Sequence, residues 1–187
     1  MRDHIHYLEK LLKRLDREIA RRIEHIPNPL LTVPGLGPVI SAGILAEIVD
    51  IARFPDHPEL AAYAGLTWKH SRSGPFEAED THLTKMGNHY LRYYLTQGAN
   101  TSRQHNLDYE VYYWRKYQET RKHKHKRALV LTARKLVRLV HTLLAKNIPY
   151  AMPQTALMIE RRLLHYRCLP DPAGDTSKSI AASRQPR

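Results

Sequence analysis

The chain is poor in several things at once. It has one cysteine, Cys168, in 187 residues, so no intramolecular disulfide can form. Acids are few: 18 Asp and Glu stand against 30 Lys and Arg, leaving a formal charge of +12. Long hydrophobic runs are missing. The most apolar stretch, 129–145, is interrupted by Arg134, Lys135, Arg138 and His141, which makes it an amphipathic helix rather than a membrane span. No signal peptide opens the chain, and there is no P-loop, dinucleotide-binding turn or zinc-protease motif. These absences predict a cytoplasmic protein with no membrane segment and no cofactor or metal site of its own.

What is present is positive charge, unevenly placed. Between Arg115 and Lys146, eleven Lys and Arg stand against one acid, Glu119, for a net +10. An excess of this size bears on partners rather than on fold, and it calls for a polyanion. The length suits one domain with appendages.

Apolar residues at Ile5, Leu8, Leu11, Leu12, Leu15, Ile19, Ile23 and Ile26 recur every three or four positions among charges. This predicts one long amphipathic, coiled-coil-like helix over 4–26, ended by Pro27-Asn28-Pro29. The stripe is narrow enough to pair with a second copy or to lie back on its own domain. Further helices are expected over 59–64, from Thr84 to Asn100, over 107–119, 127–146 and about 155–168. No strand alternation stands out, so the fold class is all-α. The division is a linker helix (1–27), a helical domain (28–150), a C-terminal helix (151–168) and a disordered tail (169–187).

Val33-Pro34-Gly35-Leu36-Gly37-Pro38, running into Val39 to Ile48, has the pattern of a helix-hairpin-helix. Gly35 and Gly37 permit backbone angles that a Cβ resists and leave amides uncovered at the start of the next helix, where donors and dipole attract an anion. The same pattern also suits a plain corner between two packed helices. Lys85-Met86-Gly87-Asn88-His89-Tyr90-Leu91-Arg92 divides similarly: Lys85, Gly87, Asn88 and Arg92 form either a phosphate grip or an ordinary helix start. Ser73, beside Gly74 and near Lys69 and Arg72, is either a turn serine or a nucleophile with room for a phosphate to approach. In Arg121-Lys122-His123-Lys124-His125-Lys126-Arg127, two histidines among cations make a poor metal site and suit a solvated basic run or a phosphate contact better. The tyrosines of 109–117 suit helix packing better than nucleophilic attack.

The order of these pieces carries a resemblance. Pro34-Gly35-Leu36-Gly37-Pro38, Ile51-Ala52-Arg53-Phe54-Pro55, Leu60-Ala61-Ala62-Tyr63-Ala64-Gly65-Leu66, Ser73-Gly74 and Lys85-Met86-Gly87-Asn88 with Leu91-Arg92 follow one another. Over residues 28–147 the chain resembles the C-terminal domain of bacterial insertion-sequence transposases that pair a RuvC-like, RNase H-like domain with a serine-bearing helix-hairpin-helix domain and act as RNA-guided recombinases. That resemblance implies DNA strand cleavage and exchange. It places the nucleophile at Ser73, with Ser71 as the alternative, and Mg2+ in the partner RuvC-like domain. It implies DNA, a guide RNA and a homo-oligomer as partners. No acidic domain of that kind lies within these residues, so a separately encoded fragment, a truncated element or an excised domain is expected. The alternative reading is a decayed transposase that retains only nucleic-acid binding.

Overall fold

The computed structural model describes residues 2–68, 72–73, 76–77, 83–84, 86–119 and 122–151. Among them six α-helices make the fold: α1 (Arg2–Glu24), α2 (Pro38–Ile48), α3 (His57–Tyr63), α4 (His89–His105), α5 (Leu107–Gln118) and α6 (Lys124–Lys146). Two 3-10 turns, Pro29–Thr32 and Ile51–Arg53, and two antiparallel two-residue strands, β1 (Arg72–Ser73) and β2 (Phe76–Glu77), complete it. The segments 155–168 and 169–187 lie outside the described residues.

Short polar side chains start most of these elements. Asn28 accepts from the Leu30 amide (3.0 Å), Asp56 from Glu59 (3.3 Å) and Asn88 from Leu91 (2.9 Å). Each satisfies a donor that the first helical turn leaves over. Asn106 ends α4 and caps α5, taking the Asp108 amide at 3.1 Å while its Nδ2 donates to the Tyr150 hydroxyl at 2.8 Å. A single buried residue thus joins two helices.

α4 is central. Gly98 on α4 would bring a Cβ to within 2.8 Å of Leu36 and 3.1 Å of Leu136, so the α2 and α6 sides close on it tightly. The core is built from Leu30, Ile44, Ile48, Leu60, Leu66, Leu91, Leu95, Leu136, Val137 and Val140, all buried. α2 runs antiparallel to α4: Gly43 faces Tyr94, and Glu47 reaches Asn88 at 2.6 Å. Only the last turns of α1 dock on α2. Ile23 is buried, whereas Ile5, Leu8, Leu12 and Leu15 remain exposed.

The described fold is helical apart from one pair of two-residue strands, in keeping with the expected all-α class, and one expectation is corrected here. The segment before the glycine turn is not an α-helix but a four-residue 3-10 turn, Pro29–Thr32. Pro27, Pro29 and Pro34 bracket it and remove the donors an α-turn needs. The strand pair, two residues a side, is too short to leave an alternating pattern in the sequence.

α2 ends in strain. Val49 has φ 62 and ψ −64, and the Asp50 amide bonds back to the Ile48 carbonyl at 2.7 Å, which is a tight γ-turn centred on a β-branched residue. The Val49 side chain is 79% exposed, so packing gives little back. Val49→Gly is therefore expected to raise stability by about 1 kcal/mol. That corresponds to roughly 2–4 °C in a thermal melt. An unchanged or lower melting temperature would contradict this.

Candidate nucleic-acid interface

The glycine turn divides unequally between its two glycines. Gly35 has φ +94 and lies against α4, where a Cβ would stand 2.6 Å from Ser102 Cα. Gly37, by contrast, has φ −74 and ψ 171, and nothing lies within 4 Å of its Cβ position. The expectation that both glycines serve for backbone freedom is thus corrected: Gly35 does, and Gly37 does not. Gly37 is the N-cap of α2 and has no side chain to cap with. Its amide, with those of Val39 and Ile40, has no acceptor among the described residues, and Gly37, Pro38 and Val39 are exposed. The start of α2 is an open row of donors at the positive end of a helix dipole.

α6 begins with cations where helices ordinarily place acids. Its N-cap, His123, sits at φ 51 with no side-chain capping bond, and no acid occupies the first turn. Lys122, Lys126 and Arg127 are exposed, and Lys124 is half-buried over the Tyr117 ring at 5.5 Å. Arg121 lies outside the described residues. The basic segment is less uniform than its sequence suggests. Lys135 pairs with Asp108 at 2.5 Å and Lys116 with Glu119 at 2.7 Å.

α5 supplies a bed of tyrosine rings for these cations. Arg103 lies 4.6 Å from the Tyr113 ring centre, Arg115 5.2 Å from Tyr112 and Lys135 4.8 Å from Tyr109. The Tyr113 hydroxyl and His125 Nδ1 are 2.7 Å apart. Burial, with Tyr150 and Asp108 adding to it, holds the Tyr109 phenol far above its ordinary range. These tyrosines are packing and stacking residues.

The stretch around Asn88 is a helix start. Asn88 caps α4, and its Nδ2 donates to Glu47 at 2.6 Å and to the Tyr63 hydroxyl at 3.2 Å, so its bonding capacity is used within the fold. Arg92 is half-buried and donates to the Ala64 carbonyl at 3.2 Å, at the C-terminal end of α3. Gly87 has φ +123, and the Asn88 amide beside it donates to the Tyr63 carbonyl at 2.7 Å. Asn88 and Arg92, read from sequence as either a phosphate grip or a helix start, both make contacts within the fold. Lys85 lies outside the described residues.

Ser73 occupies a ribbon. At the base, the Thr84 amide donates to the Thr67 carbonyl at 2.8 Å and the two threonine hydroxyls are 3.0 Å apart. Trp68 pairs with Leu83, Arg72 with Glu77 and Ser73 with Phe76. Ser73 is therefore the last paired residue before the Gly74-Pro75 link. The serine, read from sequence as a turn serine or a nucleophile, has its backbone paired in β1. Lys69 and Ser71 lie outside the described residues.

Sequence reading passed over a group at the foot of this arm. Arg134 donates to the Leu66 carbonyl at 3.2 Å, and His141 Nε2 meets the Phe54 carbonyl at 2.9 Å. Both come from α6 and meet carbonyls more than sixty residues away in sequence, a relation that no local pattern signals. Among the described residues no three His, Cys, Asp or Glu stand together as ligands for a metal ion. No described helix is long and apolar enough to cross a membrane.

Comparison with known proteins adds two findings. Residues 28–114 match the model of the Transposase IS116/IS110/IS902 family. The match begins at the cap of the first 3-10 turn, includes the ribbon and ends within α5. The chain is also similar to a probable family 20 transposase of Pseudomonas aeruginosa, 30% identical over 102 residues. That alignment covers 53% of this chain and 30% of the relative, so the chain spans about a third of the relative's length.

Proposed function

We propose that this chain is the DNA-holding, serine-bearing part of an insertion-sequence transposase of the IS110 type. It holds DNA by backbone phosphates through the open amides at the start of α2 and the cations at the start of α6, and presents Ser73 on the ribbon to a phosphodiester. The two sequence matches support the transposase class. The position of Ser73 at the end of β1, followed in the sequence by Gly74, supports the approach of a bulky phosphate.

The observation that carries the DNA grip is the start of α6. A helix N-terminus favours negative charge by about 0.3–1 kcal/mol per group, so Lys and Arg there have the wrong sign for stability. They have the right sign for a phosphate, which free amides and cations together receive well.

Cleavage in this reading is shared with a RuvC-like domain or protein, and magnesium belongs to that partner. Glu18 is taken up by Arg21 and Arg22, bonded to it at 3.0 and 2.9 Å. A guide RNA is a further polyanion for the same cations. A second copy of this chain is the partner that suits the exposed apolar stripe of α1.

A double substitution tests the grip. Lys126→Gln with Arg127→Gln is expected to make the slope of log K against log salt shallower by about 1.8 on duplex DNA. The same change is expected to hold or raise the melting temperature, because it removes repulsion from the helix dipole. A charge pair that served only the fold would show the reverse: unchanged DNA affinity and a lower melting temperature.

A further inference from the structure

Four basic groups meet where α3 packs on α6. Arg134, Arg138 and His141 follow one another at intervals of four and three and so share one face of α6. His57 stands at the first position of α3 opposite them. Two of the four have structural partners, Arg134 on the Leu66 carbonyl and His141 on the Phe54 carbonyl. The other two have none to explain them. Arg138 is exposed and pairs with no carboxylate among the described residues. His57 Nδ1 is buried with no hydrogen-bond partner among them.

We propose that this seam is a second phosphate site, in which Arg138, backed by Arg134 and His57, grips the DNA backbone on the strand that runs to the Ser73 ribbon. The proposal rests on the DNA reading above and adds to it a site outside the glycine turn and the start of α6.

The chemistry of the seam fits an anion. A guanidinium fork matches two phosphate oxygens, and a histidine ring nitrogen adds a third donor. Without an anion the cluster works against itself. Burial holds His57 below its ordinary range, and Arg138, Arg134 and His141 push the same way. Asp56, on its own helix, is the group that pulls back, and its carboxylate is already engaged by the Glu59 amide. Burial and Arg138 likewise lower the Arg134 guanidinium. A phosphate reverses that field and favours the charged form of every group there. A folded value below the unfolded one means that His57 contributes stability above the ordinary histidine range, and that this is lost as pH falls through the lowered value. Bound phosphate raises that value back towards the unfolded one and so reduces the loss.

The position is equally specific. Arg134 holds Leu66, the residue before the ribbon base at Thr67. Ser73 is seven residues beyond Leu66, at most about 25 Å of chain. A DNA strand advances about 3.4 Å per nucleotide, so a strand seated in the seam reaches the ribbon tip within about seven nucleotides.

The test is a salt titration of fluorescein-labelled duplex DNA against the full 187-residue chain. Arg138→Gln is expected to weaken binding about tenfold in dilute salt. Its slope is expected to be shallower than the wild type by about 0.9, one phosphate contact. Arg14→Gln, which removes the same charge from the exposed part of α1, is expected to leave the slope unchanged. The wild type is expected to gain more affinity than His57→Gln as pH falls below about 6.5. An Arg138→Gln slope equal to wild type overturns the seam site while the DNA reading stands, and so does an Arg14→Gln effect of the same size. Equal acid gains for His57→Gln and wild type remove His57 from the site. Absence of wild-type binding in dilute salt overturns the DNA reading and the seam with it.

Discussion

Gly35→Ala is expected to cost about 2–4 kcal/mol of stability, from backbone strain and overpacking together. In a chain of this size that lowers the melting temperature by roughly 6–12 °C. The cause is double: φ is +94, and the new methyl would stand 2.6 Å from both the amide nitrogen and the Cα of Ser102. Helix backbone cannot yield as a side chain can. Gly37, two residues on, is expected to behave in the opposite way. It caps α2 from an ordinary extended conformation with open space around its Cβ position. Gly37→Asp supplies the missing cap and is expected to leave stability unchanged or raise it by a few tenths of a kcal/mol, about the gain of Asp over Gly at such a position. It also puts a negative charge where a phosphate would sit, so DNA affinity is expected to fall about tenfold. Thermal melts and anisotropy titrations on the two variants separate these effects. Equal destabilisation by both would contradict the assignment of strain to Gly35 alone. Unchanged affinity in Gly37→Asp would remove the start of α2 from the interface.

Ser73→Ala is expected to abolish a covalent protein–DNA adduct while leaving DNA affinity within about twofold, because one hydroxyl adds little to a grip made of charges. The proposed reaction is a transesterification. Ser73 Oγ bonds to phosphorus and one P–O ester bond breaks. The proton lost by serine ends on the hydroxyl of the released strand, and the other DNA end stays esterified to the protein. Peptide mapping of the adduct formed with a RuvC-like partner, divalent metal and DNA is the check. An adduct that survives Ser73→Ala and vanishes in Ser71→Ala would move the nucleophile by two residues. If no adduct forms while the chain binds DNA firmly, binding alone is its property.

Helices were legible in the sequence wherever apolar residues recur at helical spacing, a face that is buried along α5 and α6 but only at the last turns of α1. α1, α5 and α6 lie close to where apolar spacing puts them, because Ile23, Tyr109, Tyr113, Leu136, Val137 and Val140 recur at helical intervals. The start of α4 was placed five residues early, at Thr84. That threonine serves the ribbon base instead, bonded to Thr67 across 17 residues. The ribbon itself was not legible, since four paired residues are too few to alternate. Asn88 shows why site residues are harder to read than elements. Its local sequence is that of a helix start, and only the arrival of Glu47 and Tyr63, 41 and 25 residues away, shows that its amide is fully engaged. The seam at His57 and Arg138 was hidden for the same reason. Its members lie on two helices and look in sequence like unrelated surface charges.

The charge at the start of α6 was visible as composition, but its meaning was not. Eleven cations in 115–146 read as one footprint. The fold withdraws Lys116 and Lys135 into ion pairs and leaves Lys122, Lys126 and Arg127 at an uncapped helix start.

The most direct measurement is the affinity of the unaltered 187-residue chain for duplex DNA as a function of salt. A phosphate grip predicts log K falling linearly with log salt, with a slope of about −0.9 for each phosphate neutralised. With contacts at the starts of α2 and α6 and in the seam, at least three phosphates are engaged, so a slope steeper than about −2.5 is expected. Binding that ignores salt, or no binding in dilute buffer, would contradict it.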